Sequence, residues 1–310
     1  MNRLLVTGVD TVVGSNLALA LSDRWQILGL YSNETVHFDE VSTAPCQQRN
    51  FVELRGVVDD YNPRWIIHCP ATCASGWDEF RAEPDADPAQ TARLLADVAS
   101  GLDARLTVIS TDAVFAGPRM FHEETWPATA ASFHAEQARR VEDILAATAA
   151  LVVRTHAYGW SPVAGRAGFA EKSWEALISA AVVAADGRRY ATPILATDLA
   201  ELLTRAYEHN CQGLYHMSGA ERTSPFRFVR ELAAAGDLEP PSIPRSLIPE
   251  REQPAWEGET SLNSRRARRA LEMPTPLLRE GLSRFAQQPH NGWRDRLRGT
   301  GRTRVLERAA

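Results

Sequence analysis

The sequence predicts an α/β fold: a doubly wound parallel sheet with a smaller, interleaved region after it. Three observations carry this. Short continuous apolar runs alternate with helical stretches along roughly the first 160 residues, and a glycine turn joins the first run to the first helix. The composition, 44% apolar and 24% charged over 310 residues, suits a chain that buries a full core. Strands apolar on both faces belong to parallel sheets covered by helices on both sides.

The elements follow in order. NRLLVTGVDTVVGSNLALALSDRW reads as strand, tight turn and helix, with Val13, Leu17 and Leu21 at helical spacing. WQILGLYS is a second strand. The helical stretch FVELRGVVDDYN runs into Pro63 and the strand WIIHCPA. PAQTARLLADVASGL is a helix, RLTVISTD a strand, HAEQARRVEDILAATA a helix and LVVRTHAYG a strand. SPVAGRAGF is a loop, EKSWEALISAAVVA a helix, and TDLAELLTRAYEHN another that ends near Gly213. GLYHMSG is a short strand. SPFRFVRELAAAG is a helix that Ser224 caps, with Pro225 at its first position. LEPPSIPRSLIPEREQP is a proline-rich connector. The tail from Gln287, with Arg294, Arg296, Arg298, Arg302, Arg304 and Arg308, is expected to be flexible or bound to a partner.

Composition narrows the functional classes. No run of about 18 uncharged apolar residues exists, so no membrane span is expected. The apolar run Leu4 to Val6 begins too near Met1 for a signal peptide, and a cytoplasmic location is expected. Cys46, Cys69, Cys73 and Cys211 have neither zinc-site nor thioredoxin spacing and read as structural thiols. A net charge of −5 leaves no footprint for nucleic acid. Among 34 basic residues Lys172 is the only lysine, so chemistry that needs a lysine has one candidate.

The glycine turn is Gly8-Val9-Asp10-Thr11-Val12-Val13-Gly14. In a dinucleotide-binding turn the first glycine makes the bend, the second admits the pyrophosphate and the third lets helix and strand pack closely. The phosphates then lie on the free N–H groups of the helix N-terminus. The outer glycines match that spacing, but Thr11 stands at the middle position with Asp10 beside it. Thr11 either obstructs the phosphate or donates its hydroxyl to it. After the second strand, a carboxylate would select NAD and an arginine NADP. Tyr31-Ser32-Asn33 supplies neither, so NAD, NADP and no dinucleotide all stay open.

VISTDAVFAG, Val108 to Gly117, resembles the STDYVFDG segment of the extended short-chain dehydrogenases, in particular the dTDP-4-dehydrorhamnose reductase branch. TGVDTVVGSNL is similar to that family's cofactor turn, NPRWIIHCPAT to its "PDVVINAAAYT" strand, TPILATDLAELL to its "PTYVDDLA" stretch and GLYHMSG to its "GIYHLSG" strand. QPAWEGETSLNSRRARRALEM is similar to its late proline and "LDTSK" region, so the likeness spans roughly residues 2 to 285. The resemblance implies a Rossmann domain over residues 1–160 and a smaller substrate domain over 161–286, with the arginine-rich tail after it. It implies cofactor contacts from Gly8, Asp10, Thr11, Val12, Val13 and Gly14, and from Pro70, Ala71 and Thr72.

In that family hydride passes from NADPH to the keto carbon of a nucleotide-linked deoxysugar. A tyrosine protonates the carbonyl oxygen, a lysine four residues later on the same helix face assists it, and a Thr or Ser polarises the carbonyl. The resemblance places the Thr at Thr111. Alignment through Glu142 puts His134 at the tyrosine and Ala138 at the lysine. Alanine holds no ribose and carries no charge, and Arg139 lies about 100 degrees further round the helix. Lys172 rescues no such pair, because Gly168 precedes it by four. Ala113 and Pro88 also depart from the family pattern, which has tyrosine and asparagine near those places.

Three readings follow. The first is a catalytically degenerate homologue that binds a nucleotide, a nucleotide sugar or another protein, with oligomerisation open. The second is an active reductase that uses Thr111 and His134 as catalytic residues, since histidine is a common general acid. The third is a non-catalytic regulatory or scaffold subunit, for which the family has a precedent. His68 and His156 read as packing or pocket-lining residues, too far apart in sequence for a recognisable metal site. Trp160, Trp174 and Trp256 read mainly as packing residues, with base stacking as the lesser role.

Overall fold

A computed structural model describes residues 2–47, 49–81, 87–242, 244 and 258–299. Trp256, Arg302, Arg304, Arg308 and most of the proline-rich connector lie outside the described residues. The chain opens with β1 (Arg3–Thr7), α1 (Val12–Leu21) and β2 (Gln26–Tyr31), followed by β3 (Ser42–Pro45), α2 (Phe51–Tyr61) and β4 (Trp65–His68). Next come α3 (Pro88–Gly101), β5 (Arg105–Thr111), α4 (Phe133–Leu145) and β6 (Leu151–Thr155). The later elements are β7 (Ala157–Tyr158), α5 (Phe169–Ile178), β8 (Ile194–Leu195), α6 (Ala196–Glu208), β9 (Gly213–His216) and α7 (Pro225–Ala235). The described chain closes with α8 (Arg265–Leu271), α9 (Leu278–Gln287) and α10 (Trp293–Leu297).

Seven strands form one parallel sheet in the order β3-β2-β1-β4-β5-β6-β9. Alternate residues feed opposite faces: Leu4, Val6, Trp65 and Ile67 join the core under α1 and α6, while Leu5 and Ile66 join the core under α2, α3 and α4. That is why the strands read as continuous apolar runs, and why both faces carry helices. Burying each such leucine contributes on the order of 1.5–3 kcal/mol. The strand order reverses between β1 and β4, and in open α/β sheets the ligand crevice lies at such a switch, beyond the carboxyl ends of the strands.

Local chemistry sets most boundaries. Asn50 caps α2 through Glu53 N at 3.2 Å, and Asn62 ends it in the left-handed region ahead of Pro63. Asp87 and Pro88 open α3, and Ser132 opens α4. Ser224 caps α7 with Pro225 at its first position, as the sequence predicts.

Three features differ from the sequence reading. β3 is an extra edge strand whose residues, STAP, are exposed or half-buried and so carry no apolar signal. α5 stops at Ile178 rather than continuing through Val183: Ala180 takes a left-handed conformation, and Val183 N bonds to Ser242 O. β-branched valines favour this extended pairing. The expected flexible tail is folded back over residues 288–299. Arg294 pairs with Glu175 at 2.6 Å, Arg298 with Glu171 at 2.5 Å, and Arg296 with Glu40 at 2.6 Å. Trp293 Nε1 donates to Asn16 Oδ1 at 2.9 Å, and Leu297 is fully buried. Among the described residues no helix is long and apolar enough to cross a membrane.

Candidate functional site

A cleft lies where the strand order reverses. It holds about 1050 Å³ of space, solvent at its mouth included. Gly8, Asp10, Thr11, Val12 and Val13 after β1 form one wall, with Asn33 and Glu34 after β2 beside them. Cys69, Ala71 and Cys73 to Ser75 after β4 also line it, as do Arg166, Gly168 and Lys172. Gly8 is required here: it sits at φ +73°, and a Cβ would stand 2.0 Å from the Cys69 carbonyl oxygen. A Cβ on Gly14 would meet Gly8 O at 2.2 Å, which keeps α1 close to β1. Burial pushes both cleft thiols up, that of Cys73 to about 12, so they stay protonated.

Thr11 lines the cleft, but its hydroxyl is committed to its own loop. Its hydroxyl donates to Gly8 O at 2.7 Å and accepts from Gly14 N at 3.0 Å, capping α1. The hydroxyl proton is therefore turned away from any phosphate. Val12 and Val13, the first residues of α1, line the cleft, where the helix dipole favours an anion. Gly14, Pro70 and Thr72 lie outside the cleft lining, whereas Ala71 belongs to it.

The groups aligned with the family's chemistry lie elsewhere. Thr111 is fully buried, and its hydroxyl donates to Ala74 O at 2.6 Å and accepts from Ala113 N at 3.1 Å. His134 Nε2 lies 2.9 Å from the Thr72 carbonyl. A carbonyl only accepts, so Nε2 carries the proton. Burial lowers the pKa of His134, opposed in part by that hydrogen bond, which leaves the ring neutral at pH 7. Ala138 is packed among Val114, Phe115 and Leu262, so the room a lysine would need is filled. Arg139 donates to Ala130 O at 2.6 Å, on another side of the helix.

The segment 71–81 stands between these groups and the cleft. Ala71, Cys73, Ala74, Ser75, Asp78, Glu79 and Arg81 line the cleft. On its other side Thr72 O holds His134, Ala74 O holds Thr111, and Gly76 N donates to Asp112 at 2.9 Å. Trp77 packs edge-on against His156, with centroids 4.5 Å apart. Asp78 ties the segment to α5 by accepting from Phe169 N at 2.6 Å. Neither Thr111 nor His134 reaches the cleft lining.

Sequence reading missed the pair Asp112 and His156. Asp112 Oδ2 lies 2.7 Å from His156 Nδ1 and also accepts from the Thr260 hydroxyl. Burial alone would raise the Asp112 carboxyl, but the His156 ring and the hydrogen bonds from His156, Thr260 and Gly76 N–H hold it below the ordinary value. The available signal was register: Thr111 and Thr155 are partners on β5 and β6, so the residues that follow them emerge side by side. Lys172, Arg166, Glu34 and Asp78 were missed as cleft residues too, although the singularity of Lys172 was noted. Trp160 is fully buried, stacked on Phe285 at 4.4 Å and 3°, with Trp174 at its edge; both serve the core, and neither offers a face to a base.

No curated protein matches the sequence. Among solved structures, the chain is similar to a hypothetical dTDP-4-dehydrorhamnose reductase from Sulfolobus tokodaii at 22% identity, over 86% of this chain and 94% of that one, with a TM-score of 0.67. The dTDP-4-dehydrorhamnose reductase of Bacillus anthracis in complex with NADP matches at 19% identity, over 92% and 98%, with a TM-score of 0.69. The Bordetella bronchiseptica enzyme WbmH in complex with NAD+ matches at 17%, over 91% and 96%, with a TM-score of 0.71. At these identities the likeness is one of fold. A family model described as the RmlD substrate binding domain matches residues 1–290, nearly the whole chain, and the protein belongs to that family.

Proposed function

We propose that this protein is a nucleotide-binding member of its family that has lost reductase chemistry. The observation that carries the reading is the segment 71–81, one side of which lines the cleft while the other holds Thr111 and His134. A proton donor must come within hydrogen-bond reach of the atom it serves. Both candidate donors are buried and already donate to carbonyls of their own chain. Ala138, enclosed by apolar side chains, supplies no cation.

The adenosine diphosphate portion of a dinucleotide suits the cleft better than its reactive end does. The N-terminus of α1, the close Gly8 turn and Lys172 in the cleft lining favour phosphate. The residues aligned with the hydride-transfer site do not suit a reacting nicotinamide. NADP and NAD in related structures support a dinucleotide as the ligand class.

The test is calorimetric titration and thermal shift of the full chain with NADH, NADPH, dTDP, UDP and GDP. At a ligand concentration of about 100 Kd the folded state gains roughly 2.7 kcal/mol, a readily measured rise in Tm. At least one nucleotide is expected to bind, with affinity reduced about tenfold in Lys172→Ala, a change of about 1.4 kcal/mol. Absence of binding by the whole panel would overturn the reading.

A further inference from the structure

Immediately after β2 the backbone N–H groups of Ser32, Asn33 and Glu34 converge on a single oxygen. That oxygen is Oδ2 of Asp10, at 3.3, 2.9 and 3.4 Å respectively. Successive amides aimed at one point form a concavity that binds anions. In a doubly wound fold the end of the second strand meets the adenosine ribose, where a carboxylate receives a free 2′-hydroxyl and a cation accommodates a 2′-phosphate. Here Ser32 and Asn33 provide neither side chain, Glu34 is paired with Arg166, and the anion held by the turn's amides arrives from the glycine loop before α1.

We propose that Asp10 is the residue that selects the ligand of this cleft: its carboxylate fills the amide concavity, receives the ribose 2′-hydroxyl and excludes a 2′-phosphate. The cleft then takes adenine nucleotides with an unmodified ribose, NAD(H) rather than NADP(H). The surroundings agree. A 2′-phosphate at this rim would meet the carboxylates of Asp10 and Glu34, and both guanidiniums of the cleft lining are already paired, Arg166 with Glu34 and Arg81 with Glu79. Like charges held side by side repel, whereas a carboxylate accepts a hydroxyl hydrogen bond readily. The assignment rests on the nucleotide-binding reading above.

The experiment is calorimetric titration of the full chain with four probes: NADH, NADPH, 5′-AMP and adenosine 2′,5′-bisphosphate. Expected for the native protein is a preference of at least about tenfold for NADH over NADPH and for 5′-AMP over the bisphosphate, equivalent to about 1.4 kcal/mol. Asp10→Ala empties the concavity, so the 2′-phosphorylated probes should gain about tenfold and the preference should vanish or invert. Asp10→Asn retains the shape without the charge and should narrow the preference, so it serves if the alanine variant does not fold. Equal native affinities for NADH and NADPH, or a preference unchanged in both variants, would overturn the assignment while leaving nucleotide binding intact. Loss of all affinity in both variants would overturn it as well, making Asp10 a residue that shapes the loop. No native binding of any probe would overturn the functional reading itself, and this assignment with it.

Discussion

Phe80 lies flat on the imidazole of His134, with ring centroids 4.4 Å apart and planes 3° from parallel. The contact closes one side of the partition formed by the segment 71–81, while the Thr72 carbonyl fixes the edge of the same ring. His134 is therefore held as a wall of the fold rather than offered to the cleft. Phe80→Ala should raise the His134 pKa towards its ordinary value by readmitting water. The stacking itself contributes about 0.5–1.5 kcal/mol beyond the area buried. An NMR titration of the ring protons measures the shift, and an unchanged pKa would mean that other groups bury this histidine.

Acid sensitivity should begin well above the carboxylate range. His68 is fully buried, and burial pushes its pKa down to about 3. The unfolded residue titrates near about 6.5, so between these values the unfolded chain binds a proton that the folded chain does not. This contribution to stability is complete above the unfolded pKa and is lost as the pH falls towards the folded one, at about 1.4 kcal/mol per pH unit. Burial also lowers the pKa of His122, His134 and His216, which adds to the slope. His68→Leu should flatten the plot of Tm against pH between about 6.5 and 4, whatever its Tm at neutrality. Equal slopes in both proteins would refute the assignment.

The buried pair Glu142 and Arg154 behaves differently from the surface ion pairs. Arg154 donates to Glu142 at 2.9 and 2.5 Å, and Ser110 adds a third hydrogen bond at 2.6 Å. Arg154→Met leaves a buried carboxylate without its cation, which should cost about 3–5 kcal/mol in urea denaturation. Combining it with Glu142→Leu should cost less than Arg154→Met alone, because the stranded charge is gone. A double variant less stable than that single would show that the stranded Glu142 charge is not what destabilises Arg154→Met.

Periodicity and apolar runs made the seven-stranded sheet largely legible, because strands such as Leu4 to Val6 are buried on both faces and leave an unambiguous signal. Gly8 and Gly14 were legible because their spacing reflects a close approach of backbones. Thr11 was half legible: the substitution stood out, but its capping role depends on a hydroxyl rotamer. The partition was not legible. It consists of contacts between residues 36 to 91 positions apart, such as Gly76 with Asp112, Thr72 with His134 and Asp78 with Phe169. The arginine tail was misread because its partners, Glu171 and Glu40, lie more than a hundred residues away. The Asp10 concavity was hidden for the same reason: a carboxylate on one loop meets amides on another.

Hydride transfer tests the account most directly. The full chain is incubated at high concentration with NADH or NADPH and a 4-keto-6-deoxy sugar nucleotide, and cofactor absorbance is followed beside a buffer control. The expected result is oxidation no faster than the control, with both Thr111 and His134 shut away from the cleft. Turnover at about 1 s⁻¹ or faster, within the ordinary range for enzymes and abolished in His134→Ala, would contradict it.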